Sequence, residues 1–313
     1  MKLSFLPSVI LEAIKKVAFI DVYEVRLRLN KPILVNLLGE YYYVQNESLT
    51  KTAKNPQITS AQMLEGILFK VTDGSIYAYS EQMKQGFLTI AGGIRIGITG
   101  EVVSERGDII QIKNVSSLNI RIPHEVLGCC NAIFNHLINQ NTLHNTLIIS
   151  PPAAGKTTIL RDIARQISTK FPQFNVLILD ERYEISASVN GVPELDVGQA
   201  DVMLGCNKQL GFECGIRSMS PHIILTDEIA KKEDIDSILY ANGCGVNVIA
   251  TVHAFSHKDL ENKSYFNEIL QKKVFTRFVV LSNRLGVGTI EGVYDEHFKN
   301  LLEEKNICNL SLV

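Results

Sequence analysis

The stretch Asn145–Ser168, NTLIISPPAAGKTTILRDIARQIS, decides the fold, because an apolar strand runs into a GKT turn and then into a helix. Leu147, Ile148 and Ile149 form the short apolar run of a buried parallel strand. Ile159, Leu160, Ile163, Ala164 and Ile167 share one face of the helix that follows. The N-terminus of such a helix turns unpaired amides and a positive dipole end toward an anion. In the P-loop pattern G-x-x-x-x-G-K-[ST] the lysine reaches the β- and γ-phosphates and the hydroxyl takes one place around Mg²⁺. Here those residues are Lys156 and Thr157, so the stretch predicts a nucleoside triphosphate site.

The match departs from the pattern at two places. Ser150 stands where the first glycine belongs, which requires the chain to enter the loop without a positive φ, and Ala153 removes a second freely rotating position. Pro151 and Pro152 have no amide hydrogen, leaving the amides of Ala153 through Thr158 to form the cradle. The expected phosphate-binding run is therefore Ser150, Pro151, Pro152, Ala153, Ala154, Gly155, Lys156, Thr157 and Thr158.

Such a site needs carboxylates at the ends of neighbouring strands. Two segments offer them: VLILDE ends in Asp180 and Glu181, and IILTDE ends in Asp227 and Glu228. Both put an acid pair at the carboxyl end of an apolar strand, where ligands of open α/β sheets bind. In the second pair Asp227 would serve Mg²⁺ and Glu228 would orient and deprotonate the attacking water. Periodicity does not choose between the pairs. A further segment, VIATVHA, puts Thr251 and His253 at the end of another strand, positioned to join the hydrogen-bond network of the γ-phosphate.

Around this core the sequence has two textures. Residues 1–125 read as a smaller α+β domain: an amphipathic helix carrying Leu6, Val9, Ile10, Ala13, Ile14 and Val17, then alternating strands, a helix from Ser60 to Val71, a second from Ser75 to Lys84, and glycine-punctuated strands. Residues 126–313 alternate strand and helix, with strands at 146–149, 175–179, 223–226 and 246–251, which predicts an α/β domain with a parallel sheet. A short hinge is expected around Pro123–Gly128.

With 313 residues, 46% of them hydrophobic and 20% charged, the chain is an ordinary globular protein. Its net charge of −2 is evenly spread: 14 Lys and Arg oppose 12 Asp and Glu up to Leu127, and 17 oppose 21 beyond. No nucleic-acid partner is expected from that balance. The six cysteines show no CxxC pair and are expected to be reduced and packed as small apolar residues. No segment approaches the ~20 apolar residues of a membrane span.

The order SPPAAGKTT, LDERYE, RSMSPHIILTDEIA, TVHA resembles that of the secretion-type ATPases. By that resemblance these are the Walker A loop, an aspartate box with Asp180, Glu181 and Glu184, the Walker B strand with Asp227 and Glu228, and a histidine box with His253. A closer resemblance covers most of the chain. The segments EVRLRLNKPI, QGFLTIAGGIRIGITGEVV, IKNVSSLNIRIPHEVLGC, LDERYEISASV, CNKQLGFECGIRSMSPHIILTDEI and NVIATVHA together look like the stage III sporulation protein AA family. The resemblance implies a RecA-like ATPase using ATP and Mg²⁺, with Lys156, Glu228 and His253 as the catalytic set. It implies a ring, expected as a hexamer, peripheral to the membrane around the forespore on the cytoplasmic, mother-cell side. It also implies action with the stage III sporulation membrane protein AB and other stage III sporulation proteins in a channel-like secretion complex. Ring ATPases complete a site with arginines from another domain or subunit, and Arg217, Arg95 and Arg121 are the candidates.

Two other functions fit a P-loop domain: a nucleic-acid translocase, opposed by the charge balance, and an adaptor that binds ATP without hydrolysing it, opposed by Lys156, Thr157 and Glu228. The sequence has no LSGGQ-like, HExxH or GxSxG segment for transporter-type, metalloprotease or serine-hydrolase chemistry.

Overall fold

The computed structural model describes residues 3–302 apart from 19–20, 76–78, 106–107 and 140–141. The chain forms two compact units. One holds Met1–His124 with Ala187–Glu194, and the other holds Glu125–Ser186 with Leu195–Val313. The segment Ala187–Glu194 thus joins the first unit although it lies within the expected second domain. Within that unit the Glu194 carboxylate accepts a hydrogen bond from the Gly92 amide at 2.8 Å.

The first unit contains α1 (Ser8–Lys15), β1 (Val22–Arg28), β2 (Leu34–Leu37), β3 (Glu40–Gln45), β4 (Ser48–Thr50), α2 (Ala61–Val71), α3 (Ser80–Lys84), β5 (Phe87–Ile90), β6 (Ile94–Glu105) and β7 (Asp108–Arg121). Its strands form one antiparallel sheet in the order β4-β3-β2-β1-β7-β6-β5. In β1 alternation buries Val25 and Leu27, with Val22 buried beyond the bulge near the strand's start, while Leu6 and, in α1, Ile10, Ala13 and Ile14 join the same core. The amphipathic face expected at the N-terminus is therefore spent on its own unit. Ser60 caps α2, its hydroxyl accepting from the Met63 amide at 3.2 Å. The helix expected from Ser75 is described as α3 only from Ser80; residues 76–78 lie outside the described residues.

The second unit contains α4 (Asn131–Leu137), β8 (Ile138–Asn139), β9 (Thr142–Leu143), β10 (Thr146–Ser150), α5 (Lys156–Lys170), β11 (Val176–Asp180), β12 (Asp201–Leu204), α6 (Lys208–Met219), β13 (Ile223–Thr226), α7 (Lys232–Gly243), β14 (Asn247–His253), α8 (Lys258–Glu261), α9 (Asn267–Gln271), β15 (Arg277–Ser282) and β16 (Thr289–Asp295). The main sheet runs β12-β11-β13-β14-β10-β15-β16. All neighbours are parallel except the edge strand β16, which returns antiparallel from β15 and departs from the expected all-parallel sheet. Strands β10, β11 and β13 are buried along their whole length, as continuous apolar runs in a covered parallel sheet require. Two apolar clusters lie on its faces, one built around α5 and the other around α7. The fold is α/β, and its carboxyl edge brings the phosphate loop beside the ends of β13 and β14.

Candidate nucleotide site

The loop between β10 and α5 is shaped by two left-handed residues, Ala153 at φ 57° and Gly155 at φ 84°. Ser150 is the buried last residue of β10, and its hydroxyl donates to the Pro151 carbonyl at 2.9 Å. Because Ser150 stays in the strand, the missing first glycine costs no backbone strain there; the turn is made at Ala153 instead. Gly155 then starts α5, its carbonyl accepting from the Ile159 amide at 3.0 Å.

Lys156 lies in the first turn, only 9% exposed. Its Nζ stands 3.2 Å from Nε2 and 3.3 Å from Nδ1 of His253, at the end of β14. Burial draws the Lys156 ammonium below its usual range, while the carboxylates of Asp227, Glu228 and Glu184 oppose that shift. A desolvated cation with few partners is suited to receive a phosphate. Thr157 Oγ1 donates to Asp227 Oδ2 at 3.0 Å, and Thr251 Oγ1 donates to Asp227 Oδ1 at 2.6 Å. The Glu228 amide donates to Asp227 Oδ1 and to Thr251 Oγ1, each at 2.9 Å. One carboxylate thereby ties α5, β13 and β14 together.

The hydroxyl of Thr157 and the carboxylate of Asp227 fit Mg²⁺, which takes one or two protein oxygens and fills its octahedron with phosphate and water. Among the described residues no group of three or more His, Cys, Asp or Glu could hold a metal alone, so phosphate would have to complete the shell. Glu228 adopts φ 41° and pairs with Arg182, Nη1 to Oε2 at 2.7 Å.

Asp180, expected to bind the nucleotide, is 1% exposed and occupied elsewhere. It accepts from the amides of Glu184 at 2.8 Å, Ile185 at 3.2 Å and Ser186 at 2.9 Å, and from Ser186 Oγ at 2.7 Å. It moulds the loop after β11 and presents no open acceptor edge to a ligand. Glu181 pairs with Lys208 at 2.8 Å. The backbone carbonyl of Glu184 accepts from Arg161 at 2.9 Å. Arg217 is exposed in the last turn of α6, whose start carries Lys208 at the carboxyl edge and whose end leads into β13. Nine residues of helix carry it about 13 Å along the axis. It therefore does not reach the loop of its own chain. Arg95 and Arg121 are paired across β6 and β7 in the first unit, and the Arg95 guanidinium lies 4.0 Å over the Phe87 ring.

Sequence reasoning did not single out Arg182, Arg161 or Lys208. Arg182 directly follows Asp180–Glu181, but only the return of β13 beside β11 shows that it meets Glu228.

The family model described as Sporulation stage III, protein AA matches residues 6–301. The chain belongs to this family. Stage III sporulation protein AA of Bacillus subtilis (strain 168) is 36% identical over 292 residues, covering 91% of each chain. Among solved structures, the ATPase DotB of Legionella pneumophila superposes with a TM-score of 0.54 at 14% identity, covering 83% of this chain and 72% of its own. The pilus retraction motor PilT with bound ADP gives 0.56 at 15%, covering 87% and 77%. These likenesses establish the fold shared with those ATPases. No described helix is long and apolar enough to cross a membrane.

Proposed function

We propose that this member of the stage III sporulation protein AA family is a Mg²⁺-dependent ATPase motor of a sporulation secretion complex. The convergence of Lys156, Thr157, Asp227, Glu228 and His253 at one edge of the sheet supports this reading. The amides of Ala153–Thr158 and the Lys156 ammonium would hold the phosphates. Thr157 and Asp227 would hold Mg²⁺, whose charge offsets that developing on the phosphates. Glu228 would position water and take its proton, which requires its carboxylate to leave Arg182.

The same reading extends to assembly and place. The chain would act as a ring, taken as a hexamer, with Arg95, Arg121 or Arg217 of a neighbouring copy completing each site. Its partners would be the stage III sporulation membrane protein AB and other proteins of that stage. It would dock through them on the mother-cell face of the forespore membrane.

The test is Mg²⁺-dependent ATP turnover by the purified chain beside Lys156→Ala and Glu228→Gln. Removing the phosphate-binding cation or the base is expected to lower turnover at least about 100-fold, while Glu228→Gln retains ATP binding. Equal, negligible turnover in wild type and Glu228→Gln with ATP bound, even with membrane partners supplied, would replace the motor by an ATP-gated adaptor.

A further inference from the structure

The carboxylates and the phosphate loop account for one flank of β10; the other flank carries a loop with no role in that chemistry. In the sheet order, β14 and β13 lie on one side of β10 and bring His253, Asp227 and Glu228, while β15 and β16 lie on the other. The turn joining β15 to β16, residues 283–288, reaches the phosphate loop. A β-carbon placed on Gly155 would lie 3.5 Å from both Gly288 Cα and Val287 Cγ1. Within this turn Leu285 is 51% and Val287 61% exposed.

A single exposed aliphatic residue needs no explanation. Here two of them flank Gly286 in a turn that is braced from inside. Thr289 Oγ1 donates to the Gly286 carbonyl at 2.7 Å and accepts from the Leu285 amide at 3.3 Å, and Arg284 pairs with Glu291 at 3.0 Å. Polar groups hold the turn's shape and leave both aliphatic side chains exposed, with Val287 next to the phosphate cradle and Leu285 two residues before it in the same turn.

A nucleoside triphosphate seated with its terminal phosphate toward Lys156, Asp227 and Glu228 must direct its nucleoside away from them, along the flank where this turn stands. We infer that Leu285 and Val287 form a shelf for the nucleobase of the bound triphosphate. Nucleobases have flat faces of low polarity, and aliphatic side chains cover such faces by contact area, without reading the hydrogen-bonding edge. The inference rests on the nucleotide reading of the site and adds to it the part of the ligand that the P-loop motif does not address.

Calorimetric binding of ATP and of inorganic tripolyphosphate, each with Mg²⁺, separates the two. Tripolyphosphate engages the cradle but has no base. For Leu285→Ser and for Leu285→Ser/Val287→Ser, ATP affinity is expected to fall at least about tenfold in the double variant, with tripolyphosphate affinity unchanged. The chain has no tryptophan, so Leu285→Trp adds a single indole whose fluorescence is expected to respond to ATP and not to tripolyphosphate. Unchanged ATP affinity in the double variant would overturn the shelf. So would parallel loss of both ligands, which would make the turn a brace for the phosphate loop. Equal affinity of wild type for ATP and tripolyphosphate would also remove the shelf while leaving the phosphate site standing. Failure of wild type to bind either ligand would defeat the nucleotide reading itself, and the shelf with it.

Discussion

Gly155 and Ala153 show how this phosphate loop works with a single glycine. Both take a left-handed φ, at 84° and 57°, and a residue with a β-carbon bears about 1–2 kcal/mol of strain there. Ala153 already carries that strain. At Gly155 a β-carbon would add that strain, although it would meet Val287 and Gly288 only at ordinary contact distance, 3.5 Å. Gly155→Ala is therefore expected to lower unfolding stability by about 1 kcal/mol, the lower conformational entropy of the unfolded chain offsetting part of the strain. It should weaken ATP and tripolyphosphate binding together, read by urea unfolding and by calorimetry. The pattern of residue types exposed Lys156 and Thr157 as the cation and hydroxyl of the site. It could not show that Asp180 spends its acceptor capacity on the amides of residues 184–186, because the two acid pairs look alike along the chain and differ in what folds over them.

The helix α5 is anchored on its other face by Asp162, a 3% exposed carboxylate. Oδ1 accepts from the Gly128 amide at 3.1 Å and Oδ2 from the Cys130 amide at 2.9 Å, capping the turn that enters α4; Arg165 Nη2 adds a contact of 2.6 Å. Burial pushes this carboxyl up, but the Cys130 and Gly128 hydrogen bonds and Arg165 outweigh it and hold the pKa at about 2. An unfolded aspartate titrates near 3.9. The folded value is depressed, so the stabilisation is fully present above about pH 4 and is lost as pH falls toward 2; it amounts to about 2 kcal/mol. Asp162→Asn should cost about that much at pH 7, and urea unfolding of variant and wild type should converge as pH approaches 2. Beside it, burial pushes the Cys129 thiol up to about 12, which suits a packed thiol and not a reactive one. The helical period of α5 was legible from Ile159 to Ile167. Its polar anchor was not, since Asp162 and Gly128 are brought together only when α4 packs back on α5.

For the whole molecule, the proposed ring makes turnover a property of the assembly. Specific ATPase activity is expected to rise with protein concentration and to track the growth of an oligomer in sedimentation velocity. Constant specific activity from a sedimenting monomer would contradict a shared site. Arg217 belongs to this scale, because α6 carries it to the amino edge of the sheet, away from the phosphate loop of its own chain. The two-unit organisation also shows at this scale: Ala187–Glu194 leaves the α/β unit in chain order and is counted with the α+β unit, where Glu194 binds the Gly92 amide. Its composition carries no signal of that excursion, because contacts distant along the chain leave no period in the local sequence.

By itself the sequence determined the parallel α/β core and the place of the phosphate loop, because buried strands and an amphipathic helix impose apolar runs and periods that survive in one dimension. It also presented the acids at strand ends, through the rule that open sheets gather ligands at their carboxyl edge. Only the tertiary structure decided which acids remain available, that Arg182 holds Glu228, that β16 closes the sheet antiparallel, and that Val287 and Gly288 stand beside Gly155. Each of these depends on strand order across the sheet. A strand's own residues specify its burial and direction of alternation, but its neighbours are chosen by the packing of the entire chain.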